Sequence, residues 1–299
     1  MQILFSLRVN ILLLLCGVSS CRNSALPMQA GENDRSTISP LYSTIVEKNT
    51  ARITQWLDQP GIDLNQQDST GRSPLYVAVA LDDSILAQRL IEAGANLELR
   101  GPRKRTPLHE AVANANGTIV QQLVNGGANL ETKDCYGRTP LLLALVLKHE
   151  IIAKQLMNDG ADLEARDEIN RTPLHLALAC GCIDVAEQLI IRGVDLRAQD
   201  HYKRTPLHFA ALFDHVAVTE QLLAHKIDLN APDYSGRTPL LAAIDSGSTA
   251  VVERLIECGA DLYQEDHAGR IPLSAAKALG HEAIVQSLIV CMLSNRLAK

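Results

Sequence analysis

Three histidines, His109, His175 and His208, stand 33 or 66 residues apart, each directly after a Thr-Pro-Leu tripeptide. Imidazoles recurring at a fixed interval could share a metal ion or relay protons, so chemistry is sought here first. The row is interrupted, because Tyr76, Leu142, Leu241 and Ser274 take the same position in other copies. Neither His149-Glu150 nor His281-Glu282 is followed by a second histidine at metalloprotease spacing. Cys180-Gly181-Cys182 lacks the second cysteine pair that a structural zinc site needs. Cys258 and Cys291 are 33 residues apart, on neighbouring units spaced by about 8–10 Å. That spacing exceeds the disulfide reach of about 7 Å between α-carbons, so separate thiols are expected. No glycine-rich phosphate loop, Gly-x-Ser-x-Gly elbow or Ser/Lys signature is present. These residues predict a non-enzymatic protein with no catalytic centre, metal or cofactor.

The chain of 299 residues is 46% apolar and 21% charged, a globular composition, but only 3% aromatic. Its core must therefore consist of many small aliphatic contacts, which suits thin repeated layers. With 28 basic against 34 acidic side chains, the net charge of −6 offers no attraction for a phosphate backbone. Few aromatic platforms exist for stacking bases, and nucleic acid is excluded as a partner.

Self-similarity determines the architecture. Ser73-Pro74-Leu75, Thr106-Pro107-Leu108, Thr139-Pro140-Leu141, Thr172-Pro173-Leu174, Thr205-Pro206-Leu207, Thr238-Pro239-Leu240 and Ile271-Pro272-Leu273 succeed one another at intervals of 33 residues. Ser39-Pro40-Leu41, 34 residues before Ser73, makes an eighth, irregular copy. An alanine recurs from Ala78 to Ala276 in seven copies and a leucine from Leu57 to Leu288 in eight, as interlocking layers would require. The period, the Thr-Pro-Leu-His runs and the Gly-Ala-Asp/Asn-Leu runs after the second helix resemble the ankyrin repeat. The resemblance implies an all-α solenoid of helix pairs joined by β-turn or hairpin loops. It also implies a structural, hydrogen-bonding role for His109, His175 and His208. The local signals agree: threonine is a good N-cap and proline suits the first helical position. Gly61, Gly94, Gly127, Gly160, Gly193 and Gly259 fall where a left-handed helix end is needed, and Lys226 is the departure. The array is expected over residues 39–299, about eight units with the first and last acting as caps and with an extended concave binding face.

The N-terminus reads differently. Residues 1–20 carry Arg8 and an apolar run ending near Val18, too short to span a membrane, and are expected to be a signal peptide. Val18-Ser19-Ser20-Cys21 resembles the lipobox of bacterial lipoproteins, which implies acylation of Cys21. Ordinary secretion by cleavage nearby and an uncleaved N-terminus are the alternatives. Arg22 in place of an aspartate favours the outer membrane in such a lipoprotein. Residues 21–38 are polar, turn-forming and without periodicity, as in a flexible tether. A cell-envelope location with a lipid anchor in the membrane is expected, secretion being the alternative. The scarcity of paired cysteines runs against export.

Turn tips can vary without disturbing a repeat core, and a partner protein is expected to touch them. Arg103, Lys104, Tyr136, Ile169, Tyr202 and Tyr234 are the candidate contacts. Tyrosine supplies rigid apolar area with a polar end, although single tyrosines also stabilise turns. Arginine precedes the tripeptide in seven copies from Arg72 to Arg270, six of them with an aspartate four positions earlier to balance the charge. The exception is Gly101-Pro102-Arg103-Lys104-Arg105, where three cations stand together. This tip suits an acidic side-chain cluster or a lipid head group, or is a solvated charge run. Leu288, Ile289, Val290, Met292, Leu293 and Leu297 are more apolar than a terminal unit requires. They are expected to be covered by the chain's own end or by self-association. The expected function is non-catalytic protein binding by an exported module. A secreted or host-directed effector and a self-associating envelope component are the alternatives.

Overall fold

The structure, a computed structural model, describes residues 44–45 and 61–297. The signal segment, Cys21, the tether, Ser39-Pro40-Leu41 and Leu57 lie outside the described residues. What is described is helical, without a strand, and forms two compact units that meet in sequence between Glu168 and Ile169.

The unit up to Glu168 holds three helix pairs: α1 (Pro74–Ala80) with α2 (Ser84–Glu92), α3 (Pro107–Ala113) with α4 (Gly117–Asn125), and α5 (Pro140–Val146) with α6 (Glu150–Asn158). The unit from Ile169 holds four. They are α7 (Pro173–Cys180) with α8 (Ile183–Ile191), α9 (Pro206–Leu212) with α10 (Val216–Ala224), α11 (Pro239–Ser246) with α12 (Thr249–Glu257), and α13 (Pro272–Leu279) with α14 (Glu282–Leu297). Within each unit the first helices pack on one another in chain order, as do the second helices.

Most of these helices have seven to nine residues, too few to persist alone, so their ends are set locally and their stability comes from packing. Each first helix starts with proline after a residue in extended conformation, such as Thr139 at φ −73°, ψ 166°. The Thr139 hydroxyl accepts the Leu142 N–H at 3.4 Å, satisfying one of the orphan donors of the first turn. The second helix ends at a left-handed residue, Gly94 at φ 85° or Gly127 at φ 89°. Lys226 adopts the same conformation at φ 51° without glycine's freedom.

The expected layers are present. Ala78, Ala111, Ala144, Ala177, Ala210, Ala243 and Ala276 are fully buried, as are the leucines from Leu90 to Leu288 at the same interval. Alanine lets successive first helices approach, and leucine fills the space against the second helices. The largest fully buried side chain is Phe209, consistent with a protein short of rings.

Candidate protein-interaction surface

Between one pair and the next the chain makes a tight hairpin, closed in the same way in several copies. In Asp134-Cys135-Tyr136-Gly137-Arg138, the Asp134 N–H donates to the Arg138 carbonyl at 2.9 Å and the Gly137 N–H to the Asp134 carbonyl at 3.1 Å. One Asp134 carboxylate oxygen accepts the N–H groups of Tyr136 and Arg138, and the other accepts Nε and Nη2 of Arg138 at 3.0 and 2.7 Å. The same lock joins Arg72 to Asp68, Arg204 to Asp200, Arg237 to Asp233 and Arg270 to Asp266. The arginine row is charge-balanced in these hairpins, as the spacing predicts. At Asp266 burial disfavours the carboxylate, but hydrogen bonds from Arg270 and Ala268 overcome this and hold its carboxyl below the usual range.

The hairpins are also tied to each other. In the unit up to Glu168, the Cys135 N–H donates to the Arg103 carbonyl at 2.9 Å and the Glu168 N–H to the Tyr136 carbonyl at 3.4 Å. In the unit from Ile169, rungs join His201 to Ile169, Tyr234 to Tyr202 and His267 to Ser235 at 2.8–3.0 Å. Tip residues are therefore held by backbone ladders, not presented on free loops.

On these ladders Tyr136, Tyr202 and Tyr234 are 37%, 48% and 55% exposed. Each ring has a cation against it: the Arg138 guanidinium lies 4.5 Å from the Tyr136 centroid, Arg204 4.9 Å from Tyr202, and the Lys203 ammonium 5.0 Å from Tyr234. The rings both brace their turns and remain partly open to solvent. Ile169 is half-buried, and its backbone carbonyl accepts the His201 rung.

The profile of the family described as ankyrin repeats (three copies) matches residues 41–134, 77–167, 111–200 and 174–266. The chain belongs to the ankyrin-repeat family. Among solved structures it is similar to the ankyrin repeat domain of Bcl-3, described as a unique member of the IkappaB protein family. That match has a TM-score of 0.63 and 29% identity over 74% of this chain and 99% of that one. No curated protein matches the sequence. Ankyrin repeats are protein–protein interaction modules.

Within the ankyrin array the histidines tie turn to helix. The Thr106 N–H donates to Nδ1 of His109 at 3.4 Å, and Nε2 lies 3.0 Å from the Arg138 carbonyl of the next hairpin. A backbone N–H can only donate and a carbonyl only accept, so the ring is neutral with its proton on Nε2. His175 and His208 repeat this arrangement with Thr172 and Arg204, and with Thr205 and Arg237. Burial pushes the pKa of His109 and His208 down, against the bonds to the carbonyls.

The basic tip differs from expectation in one residue. Arg103 and Lys104 are exposed at its apex, both left-handed at φ 59° and 56°, but Arg105 is buried. Arg105 Nη1 reaches Glu110 at 3.5 Å, so two cations and not three stand at this tip. The cause lies in the preceding ankyrin unit. Tyr76 stands where other copies have histidine, and its ring fills the space of the missing aspartate: a Cβ on Gly101 would lie 2.7 Å from it. The Tyr76 hydroxyl donates to Glu110 at 2.9 Å, so Glu110 serves both Tyr76 and the arginine that lost its lock. Tyrosine, glycine and glutamate have replaced histidine and aspartate together.

The last expectation is corrected in part. Leu288 is fully buried core, whereas Val290 and Leu293 are 61% and 54% exposed on α14, which runs to sixteen residues where other second helices have nine. Among the described residues no helix is long and apolar enough to cross a membrane. Sequence reasoning missed Tyr263, 56% exposed beyond α12, because it lies outside the hairpin tips. It also passed over Arg100, Lys133 and Arg166, although the same alignment at 33 residues puts them at one position.

Proposed function

We propose that this protein is a non-catalytic binding module that holds another protein through its hairpin tips and works at the cell envelope, tethered by an acylated Cys21. The observation that carries the binding role is the set of half-open tyrosines, each braced by a cation on a ladder of backbone bonds. Aromatic side chains held in this way lose little freedom on binding, so more of their buried area becomes affinity. Arg103 and Lys104 add contacts on the unit up to Glu168, and Ile169 adds one on the unit that it begins.

Cross-linking in the envelope fraction, with the native chain and with Tyr136→Ala, Tyr202→Ala and Tyr234→Ala combined, tests this role. Lost capture with a melting temperature lowered by only a few degrees is expected, since exposed cation–ring pairs contribute about 0.5–1 kcal/mol each. Capture unchanged by the three substitutions removes the tips from the interface.

Multiple acylation of Cys21 would hold the array stably at a membrane, because each buried methylene contributes about 0.8 kcal/mol. The intact mass of the native protein separates the possibilities. A species starting at acylated Cys21 supports the anchor, an unacylated processed species in the medium supports a secreted or host-directed binder, and a species retaining Met1 ends the export reading. A second reading, self-association in the envelope, is favoured by the exposure of Val290 and Leu293.

A further inference from the structure

A row of cations follows one register of the hairpins in the unit up to Glu168. Arg100, Lys133 and Arg166 succeed one another at 33 residues, where the preceding copy has Gln67. Two of these side chains show how the register lies: Gln67 Nε2 donates to the Arg100 carbonyl at 3.1 Å, and Lys133 Nζ donates to the Arg166 carbonyl at 2.8 Å. Each therefore reaches along its own edge toward the next hairpin. The neighbouring carboxylates are engaged elsewhere. Glu98 accepts the Asn129 N–H and the Thr132 hydroxyl, and Glu131 accepts the Asp162 N–H. Arg100, Arg103, Lys104 and Lys133 are exposed and take part in no ion pair among the described residues.

This is a departure within an acidic protein. In the unit from Ile169 the same register reads Gln199, Pro232 and Glu265, so the repeat itself does not demand a cation there. Successive helix pairs stand about 8–10 Å apart, and an extended chain advances about 3.3 Å per residue. One repeat therefore matches three extended residues.

We infer that this edge binds an extended peptide segment carrying a carboxylate at every third residue, laid across the hairpins from Arg100 toward Arg166 with Arg103 and Lys104 beside it. The inference rests on the protein-binding reading above and names the chemistry of the partner. Tyr136 stands next to this edge, since the Cys135 N–H is bonded to the Arg103 carbonyl, and offers its open ring to an apolar residue between the acids. A single file of cations one repeat apart fits a strand better than a membrane plane. An anionic bilayer is held by clusters of cations facing one surface, which a single file does not provide.

The test uses the full chain and fluorescence anisotropy. The probe is a labelled peptide of serine and glycine with glutamate at every third position; its isomer with the glutamates contiguous and vesicles containing phosphatidylserine are the comparisons. Binding of the spaced peptide is expected to exceed that of the isomer and to fall with salt. It should drop by roughly tenfold when Arg100→Gln, Arg103→Gln and Lys133→Gln are combined. Lys148→Gln, an exposed cation on the turn between α5 and α6, should leave it unchanged. Equal losses at Lys148 and in the row, equal binding of the two isomers, or vesicle binding that depends on the row while the peptide does not bind would each overturn the inference. Persistence of the cross-linked partner in the triple glutamine variant, with its loss in the triple alanine variant, would leave the tyrosine reading standing and remove the acidic strand alone.

Discussion

His109, His175 and His208 each bind two backbones at once, and the neutral ring is the form that can do so. Burial lowers the pKa of His109 and His208 below the ordinary 6.5, so the unfolded chain takes up the proton first. Their contribution to stability is complete above that value and is lost as the pH falls toward the depressed folded value. Unfolding free energy should therefore decline on acidification below 6.5, by up to about 1.4 kcal/mol per pH unit for each ring. His208→Leu tests this, because Leu142 and Leu241 occupy equivalent positions. It should cost about 1–3 kcal/mol at neutral pH, since the Arg237 carbonyl and the Thr205 N–H lose their partner. Urea titrations at two pH values should then show a shallower acid decline than in the native chain, and an unchanged slope would contradict the assignment. Asp266 behaves in the opposite range. Its folded pKa lies below 3.8, so its contribution is present above that value and disappears as the pH falls through the folded one.

At the scale of the element, the hairpin and the two turns of each repeat all require a left-handed residue. Glycine supplies it at Gly71, Gly181 and Gly94, but Lys104, Lys148 and Lys226 adopt it with a side chain. An L-residue there costs roughly 1–2 kcal/mol, so Lys226→Gly is expected to stabilise by about 0.5–1 kcal/mol after the entropy of the unfolded glycine is counted. A lowered melting temperature would show that the Lys226 side chain contributes more than its backbone costs. The Tyr76–Gly101 pair gives a sharper case, because Gly101 has an ordinary negative φ of −91° and only the ring excludes a side chain. Gly101→Ala should cost about 1–3 kcal/mol by overpacking. In a Tyr76→Ala background the same change should cost far less, and a cycle without coupling would refute the steric account. The motif positions in these elements are legible in the alignment, but this compensation is not: Tyr76 and Gly101 are 25 residues apart and meet only across the interface of successive repeats.

For the molecule as a whole, stability is a sum of unit and neighbour terms, so each unit depends most on what lies beside it. The exposed Val290 and Leu293 on α14 are apolar area without such a neighbour among the described residues. If that face joins two copies, sedimentation equilibrium should show a dimer that becomes monomeric with Val290→Ser and Leu293→Ser. A concentration-independent monomer in the native chain would discard self-association there.

The sequence by itself determined the family, the phase of every helix pair, the alanine and leucine layers, the aspartate–arginine locks and the left-handed helix ends. These are determined because each is a local rule written six to eight times at one interval, and repetition separates signal from chance. The tertiary structure alone decided that Arg105 is buried, that Val290 and Leu293 of α14 are exposed, and that each tip tyrosine rests on a cation. Those properties depend on which side chains from adjacent repeats occupy the same space. A period fixes the spacing of such residues, but their exposure and pairing follow only once the repeats are stacked.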